Sequence, residues 1–373
     1  MRVGIDLSVL RQRRTGIGNY AFHLSESFKN LNTEHKLILL PGPKGTIPFW
    51  SKHIGYARDI RRQGIDVLHG PANVLPLFYK GPSVITLHDL AIYKHPEWFP
   101  SGQWLATKVV VPASIKKASK IIVPSLATKK DLMELFAVPA EKIAVIPHGV
   151  EERFFKSDLR TANSDWENPA RQSPVGSRYI LFVGTLEPRK NLQRVIEAYR
   201  GLSDEIKKKY ELWVAGGRGW GNPLSKPPHK PTPKAGTLSG DPGKGEGIKW
   251  LDYVSDEDLP GLYQNSSLFV YPSLYEGFGL PVLEAMAAGC PVVTSRQIAQ
   301  NIEYRMSDMD NSIFHILYSV DPHSTEQIRI GMVEVLANPK LALKMSGQGV
   351  VLARHFTWSE TARRTVEVYE MQV

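Results

Sequence analysis

Cysteine is almost absent from this chain. The one residue of the type, Cys290, excludes an internal disulfide and fits a reducing compartment. No apolar run approaches the ~18 residues that a membrane-spanning helix needs. Hydrophobic residues still make up 42% of the 373 positions, enough for a sizeable core, and the length favours two domains over one. The start, Met1 to Asp6 followed by Arg11, Arg13 and Arg14, puts its apolar residues before its charges, the reverse of a secretory signal. Two catalytic patterns are missing as well. No nucleophile triad is legible, and the Gly16-Ile17-Gly18 turn lacks the third glycine of the dinucleotide fingerprint, which disfavours a triad hydrolase and a dehydrogenase.

Acid is scarce in the first part of the chain. Residues 1–155 hold 21 Lys+Arg against 12 Asp+Glu, which leaves 25 of each in the remainder, so the whole net charge of +9 sits in that part. Such a surface attracts nucleic acid, acidic lipid or a phosphorylated acceptor, and no nucleic-acid motif accompanies it.

The most ordered stretch runs from Tyr271 to Ser295 and reads as strand, Gly-rich turn, short helix and strand. Gly277 and Gly279 allow positive φ, Pro281 suits a first helical turn because its missing N–H would be unpaired there, and Gly289 ends the helix. The amides of Gly277, Phe278, Gly279 and Leu280 then lie at a helix N-terminus, where backbone dipoles favour an anion. Glu276 precedes the turn and Glu284 is expected in the first helical turn, so both can reach hydroxyls of a ligand whose phosphates rest on the amides. First-turn acids are also favourable with no function at all.

Short strands recur at Arg2–Leu7, Lys36–Leu40, Val67–Leu68, Val84–Leu87, Ile121–Val123 and Ile143–Ile146, separated by loops and helical segments. This alternation predicts a parallel sheet covered by helices, with ligands outside the carboxyl ends of strands. A glycine turn at Gly16 to Gly18 before a helix from Tyr20 to Leu31 offers a phosphate site or a plain structural turn. His88 lies at a strand end and is equally a site residue or a satisfied loop residue. The segment from Trp98 and Trp104 to Lys108, Lys116, Lys117 and Lys120 is aromatic, then basic. It suits a helix packed on its sheet or one resting on an anionic membrane.

Residues 156–177 are polar and turn-rich and read as a linker. Beyond them come strands at Tyr179–Val183, Glu211–Ala215 and Ile248–Val254, and capping-box chemistry at Ser255 to Asp258. Residues 222–247, with 6 Pro, 5 Gly and 4 Lys, read as an irregular insert. Arg189 and Lys190 stand just before a helix from about Leu192; a surface helix can begin with Lys-Asn for solubility, but two cations where the helix dipole disfavours them point to an anion that offsets the repulsion.

Together, Thr15-Gly-Ile-Gly18, Thr86-Leu-His88-Asp89, Val123-Pro-Ser125, Ile146-Pro-His-Gly-Val150, Val183-Gly184, Arg189-Lys190-Asn191 and the Glu276-x7-Glu284 pair resemble the retaining glycosyltransferases of family 4, most closely a bacterial mannosyltransferase-like group. The resemblance implies an α/β protein of GT-B fold, with two Rossmann-like domains whose parallel sheets face a central cleft. Its domains would be 1–165 for the acceptor, 166–355 for the sugar nucleotide, and a 356–373 helix crossing back to the first. It implies Arg189 and Lys190 on the donor diphosphate, Glu276 on the donor sugar, Glu284 on the ribose and His88 beside the transferred sugar. The amides of Gly16, Ile17, Gly18 and Gly277 to Leu280 would complete the phosphate cradle, with Gly184 also on the donor and backbone near Tyr253 and Val254 at the base. The implied reaction is metal-independent transfer of a hexose, first GDP-mannose and next UDP-hexose, to a lipid-linked or glycan acceptor in polysaccharide biosynthesis. The implied placement is cytoplasmic, peripheral on the inner face of the plasma membrane, with no nucleic-acid partner and no cofactor. The family's Gly-rich, Pro-Glu loop after Ser295 is replaced here by Arg296 to Leu317. That departure keeps open a second reading, a non-catalytic nucleotide-sugar-binding subunit of a membrane glycan-assembly complex.

Overall fold

The computed structural model describes residues 1–11, 16–42, 49–102, 105–155, 178–217, 219, 247–304 and 316–372, with backbone alone at 49–53. The linker at 156–177, the 165/166 boundary, nearly all of the 222–247 insert and Trp104 lie outside the described residues. The chain forms two compact units. One comprises Met1–Gly149 with Phe356–Val373, and the other Val150–His355.

The first unit is built on six parallel strands: β1 (Arg2–Asp6), β2 (Lys36–Leu40), β3 (Val67–Gly70), β4 (Ser83–Thr86), β5 (Lys120–Val123) and β6 (Ile143–Val145), in the order β2-β1-β3-β4-β5-β6. Every residue of β3 and β4 is buried, as expected for a sheet covered on both faces. Successive side chains divide accordingly. Val84 and Ile122 join Val3, Phe28 and Val366 on one face, while Ile85, Ile121 and Val123 join Ile60 and Leu132 on the other. Burying side chains of this size contributes roughly 1.5–3 kcal/mol each.

Helix α1 (Gly16–Lys29) packs on the C-terminal helix, here α12 (Trp358–Glu370). Gly16 to Gly18 are thus the first helical turn itself, not a separate turn before a helix at Tyr20. Helix α12 starts with a side-chain N-cap. Thr357 accepts from the Glu360 amide at 3.1 Å, and Glu360 stands at the third helical position. Its side chains reach β6 and the loop after it, with Thr361 Oγ1 donating to the Pro147 carbonyl (2.8 Å) and Arg364 to that of Val145 (3.0 Å). The approach is so close that a Cβ on Gly149 would lie 2.2 Å from the Trp358 nitrogen.

Elsewhere in this unit, α2 (Phe49–Arg62) precedes β3, while α3 (Val111–Lys117) and α4 (Leu126–Phe136) flank β5. A π-helical turn, Ala106–Val110, leads into α3, whose Pro112 has no N–H to continue the α-helical ladder.

The second unit has β7 (Arg178–Val183), β8 (Tyr210–Ala215), β9 (Ile248–Asp252), β10 (Leu268–Tyr271), β11 (Val292–Ser295) and β12 (Tyr318–Val320), all parallel, in the order β12-β11-β10-β7-β8-β9. Its helices are α5 (Leu192–Arg200), α6 (Asp204–Lys209), α7 (Leu259–Asn265), α8 (Leu280–Ala287), α9 (Arg296–Glu303), α10 (Thr325–Ala337) and α11 (Pro339–Ala353). The chain runs outward from β7 to β9 and then returns to place β10 on the other side of β7. The direction of winding therefore reverses between β7 and β10, the point at which open α/β sheets bind ligands beyond the strand ends. Strand β9 stops at Asp252, two residues before the expected Val254. A register shift at Val214/Ala215 and a left-handed Asp252 (φ 49°) end the ladder there, leaving Tyr253 and Val254 in the loop.

Candidate active site

Both strands at the reversal deliver charged side chains. After β7 the chain passes Gly184, makes a 3-10 turn at Pro188–Lys190 and turns left-handed at Asn191 (φ 62°) before α5 begins. The Asn191 amide fixes that corner by donating to the carbonyls of Pro272 (2.9 Å) and Pro322 (2.7 Å). After β10, the loop Pro272 to Gly279 carries Glu276 into the same place. Glu276 Oε1 accepts from Lys190 Nζ (2.5 Å), the Tyr271 hydroxyl (2.9 Å) and Ser273 Oγ (2.9 Å), and Oε2 accepts from Arg189 Nη1 (3.1 Å). Arg189 Nε turns to Glu187 at 2.8 Å.

The electrostatics follow from these partners. Burial would raise the Glu276 pKa, but Lys190, Arg189 and the Tyr271 hydroxyl outweigh it and hold the group at about 2, a permanent anion. Burial pulls Lys190 below the ordinary lysine value against the attraction of Glu276. Two cations thus face two carboxylates. Anions that offset the repulsion of Arg189 and Lys190 are present in the chain itself, as Glu276 and Glu187.

Glu284 behaves in the opposite way. Helix α8 starts at Leu280, with Gly279 as its cap, so Glu284 lies in the second turn and not in the first as expected. It is partly buried and has one hydroxyl partner, Tyr263, at 3.1 Å. Burial pushes its pKa up to about 8, with Glu151 and Asp256 adding to the rise and Tyr263 and Arg153 opposing it. At the start of α8, Gly279 has φ 114°, and a Cβ there would lie 2.6 Å from Ile298 Cγ2, so only glycine fits. Pro281 has no N–H, and the Val282 and Leu283 amides bond back to the Gly279 carbonyl (3.0 and 3.2 Å). An anion at this helix start would therefore meet amides at or before Leu280. Gly277 and Phe278 are buried beside it, and Tyr253 is half exposed beyond β9.

In the first unit, His88 follows β4 and is buried. Its amide donates to Asn73 Oδ1 (3.0 Å), and its Nε2 lies 2.7 Å from the Pro71 carbonyl. A carbonyl only accepts, so Nε2 carries the proton and Nδ1 is left as the acceptor. Burial lowers the pKa of His88 and of His148, whose ring stands 5.3 Å away, and both rings are neutral. A chain of polar contacts lies alongside. Tyr20 meets Thr86 Oγ1 at 3.0 Å, Thr86 meets His69 Nε2 at 2.8 Å, and His69 Nδ1 meets the Tyr369 hydroxyl at 2.6 Å. Gly16 to Gly18 belong to this unit too, and residues 12–15 before them are outside the described residues.

Sequence reasoning singled out Glu276, Arg189 and Lys190 but not their mutual pairing, nor Glu187, Ser273, Tyr271, Tyr263, Gln297 and Asn301. Tyr271 and Ser273 were within reach, because they flank Pro272 in the most ordered stretch. The acidic pair Asp256 and Asp258 has the spacing of a metal motif, yet Asp258 accepts from the Ser255 hydroxyl at 2.6 Å, and its amide donates to the same hydroxyl at 3.1 Å in the turn before α7.

Two parallel Rossmann-type sheets, the second with a charged cluster at its reversal point, define the GT-B class of glycosyltransferase architecture. The family models agree. Glycosyltransferase Family 4 matches residues 4–154, and Glycosyl transferases group 1 matches residues 164–349. The chain belongs to the family 4 glycosyltransferases. It is 29% identical over 314 residues to O-antigen chain mannosyltransferase B of Escherichia coli, covering 82% of this chain and 74% of that one. It is 25% identical over 260 residues to the serotype-specific mannosyltransferase WbdA of the same organism, covering 68% of this chain but only 29% of that longer protein. Among solved structures, Anabaena HepE in complex with UDP and glucose matches with a TM-score of 0.68 at 14% identity, over 100% of both chains.

Proposed function

We propose that the chain is a retaining, metal-independent hexosyltransferase that moves mannose from GDP-mannose to a lipid-linked or glycan acceptor in polysaccharide assembly. The observation that carries this is the buried Lys190–Glu276–Arg189 cluster at the carboxyl ends of β7 and β10. When a sugar leaves a nucleoside diphosphate, negative charge grows on the leaving phosphate. Arg189 and Lys190, held in place by Glu276 and Glu187, are pre-set donors for that charge and need not reorganise as it forms. Retention fits same-face attack. The acceptor oxygen bonds to the anomeric carbon as the carbon–phosphate-oxygen bond breaks, and the acceptor proton passes to a donor phosphate oxygen. The rival mechanism uses Glu276 as a nucleophile, as glycosidases use a carboxylate. Four donors on its two oxygens, and a pKa of about 2, make Glu276 a poor nucleophile and support the same-face route.

The choice of mannose follows the two mannosyltransferase relatives, and UDP-hexose is the competitor because the HepE structure holds UDP. The first unit, which carries the chain's positive excess, is proposed to take the acceptor. A membrane surface is proposed for the exposed Leu105, Lys108, Val109 and Lys116. Lys117 and Lys120 leave that proposal, because their ammonium groups bond the carbonyls of Pro76 and Glu141.

Thermal-shift titration with GDP, UDP, GDP-mannose and UDP-glucose, followed by a transfer assay, tests the reading. A donor at 100 times its Kd should stabilise the fold by about 2.7 kcal/mol. If no nucleotide sugar shifts the melting temperature and none is turned over, the reading fails.

A further inference from the structure

The segment after Ser295 departs from the family pattern in sequence, and its first eight residues form α9, which starts directly at the end of β11. Two side chains of α9 turn toward Glu276. The Glu276 amide donates to Gln297 Oε1 (3.4 Å), Gln297 Nε2 donates back to the Glu276 carbonyl (3.1 Å), and Asn301 Nδ2 donates to the same carbonyl (3.4 Å). Gln297 and Asn301 are one turn apart on one helix face, and Asn301 is buried. The orientation of the Gln297 amide is settled by its partners, since the oxygen meets an N–H and the nitrogen a carbonyl. Glu276 sits in a loop between β10 and α8, where its peptide groups have no neighbouring strand. Gln297 supplies the pair of bonds that a strand would otherwise make.

We infer that Gln297, assisted by Asn301, is a positioning residue that fixes the Glu276 backbone so that the carboxylate stays between Arg189 and Lys190. The consequence for turnover rests on the proposed transferase reading, whereas the fixing of the loop does not. Four hydrogen bonds to one carboxylate demand a definite position for its Cα, and a loop free to rotate would share its time among weaker arrangements. Packing of Ile298 and Ile302 can hold α9 in place without the amide, so the two contributions of this helix are separable.

The test uses the full chain with Gln297→Ala and Gln297→Glu. In Gln297→Ala, hydrogen exchange of the ligand-free peptide covering residues 272–279 should quicken about tenfold or more, because two hydrogen bonds to the Glu276 backbone are lost. The amides of α9 and the melting temperature should change little. Sugar transfer should fall about 10²-fold in kcat, with a smaller change in the donor KM, because a misplaced clamp acts on the reacting geometry. In Gln297→Glu the introduced carboxyl, when protonated, can again donate to one group and accept from the other. Its activity should therefore recover as pH falls, relative to the parent profile. Unchanged exchange at 272–279, exchange that loosens equally through α9, or a Gln297→Glu profile parallel to the parent overturns the inference. A parent chain that transfers no sugar overturns the transferase reading instead, and the exchange measurement still decides the role of Gln297.

Discussion

Glu276 and Glu284 are separated by seven residues and carry opposite perturbations. Glu276 is wrapped in two cations and two hydroxyls, and Glu284 has a single hydroxyl in a surrounding where other carboxylates add to the cost of its charge. Replacing Arg189 by Ala removes one donor and also leaves Glu187 and Glu276 undercompensated beside an incoming diphosphate. The expected loss in kcat is ~10²- to 10³-fold, read by steady-state transfer. A loss below tenfold would separate Arg189 from the leaving group. For Glu284 the sign runs the other way. Its folded pKa, about 8, stands above the ordinary value, so the stability linked to it is present at low pH and is lost as pH rises through about 8. On the reading that Glu284 holds the donor ribose, whose hydroxyls would donate to its carboxylate, donor binding should expel the Glu284 proton and tighten up to tenfold per pH unit until about pH 8. Calorimetric titration between pH 6 and 9 checks this. In Glu284→Gln the slope should vanish, and the ligand-free variant should outlast the parent at alkaline pH.

Elements were legible where the pattern was dense. The βα alternation and the strands rich in Val, Ile and Leu showed a helix-covered parallel sheet in the first half, and the family resemblance implied its counterpart in the second. Strand β12 was missed because three residues at a sheet edge carry no periodic signal. The pairing of Lys190 with Glu276 was illegible for a different reason. The two are 86 residues apart and meet only because β7 and β10 are neighbours in a sheet whose order the sequence does not spell out. Gln297 was hidden in the same way, since nothing local marks an amide that will face a loop 21 residues upstream. One element-level contact is open to a direct test. Gly149→Ala would put a methyl into the backbone of α12 and should lower the unfolding free energy by about 1–3 kcal/mol, the usual effect of overpacking. Gly347 in α11 has open space where its Cβ would be. Gly347→Ala should therefore stabilise the chain by up to about 1 kcal/mol, through helix propensity alone. Chemical denaturation of both variants reads the contrast, and equal destabilisation would show that the close approach is not what matters.

At the scale of the whole molecule, charge is the most uneven property. Among the described residues no helix is long and apolar enough to cross a membrane. Attachment to an anionic surface through the first unit would then depend on exposed groups such as Lys108 and Lys116, each worth about 1 kcal/mol near an acidic bilayer. Neutralising both should weaken co-sedimentation with phosphatidylserine vesicles by about tenfold or more, with no effect on neutral vesicles, and 0.5 M salt should abolish it. Equal binding by parent and variant would rule out this face. Lys117 is the internal control. Its bond to the Pro76 carbonyl and its place over the Tyr79 ring belong to the fold, so its loss should lower stability before it changes any surface affinity.

The first unit is completed by α12, whose Val366, Val368 and Tyr369 close the face of the sheet formed by Val3, Val67, Val84 and Ile122. During synthesis those residues emerge only after the whole of 150–355. The continuous second unit can fold as it leaves the ribosome, while the first must wait with one apolar sheet face covered only in part, by residues such as Phe28 of α1, which inverts the usual N-terminal-first order of domain folding.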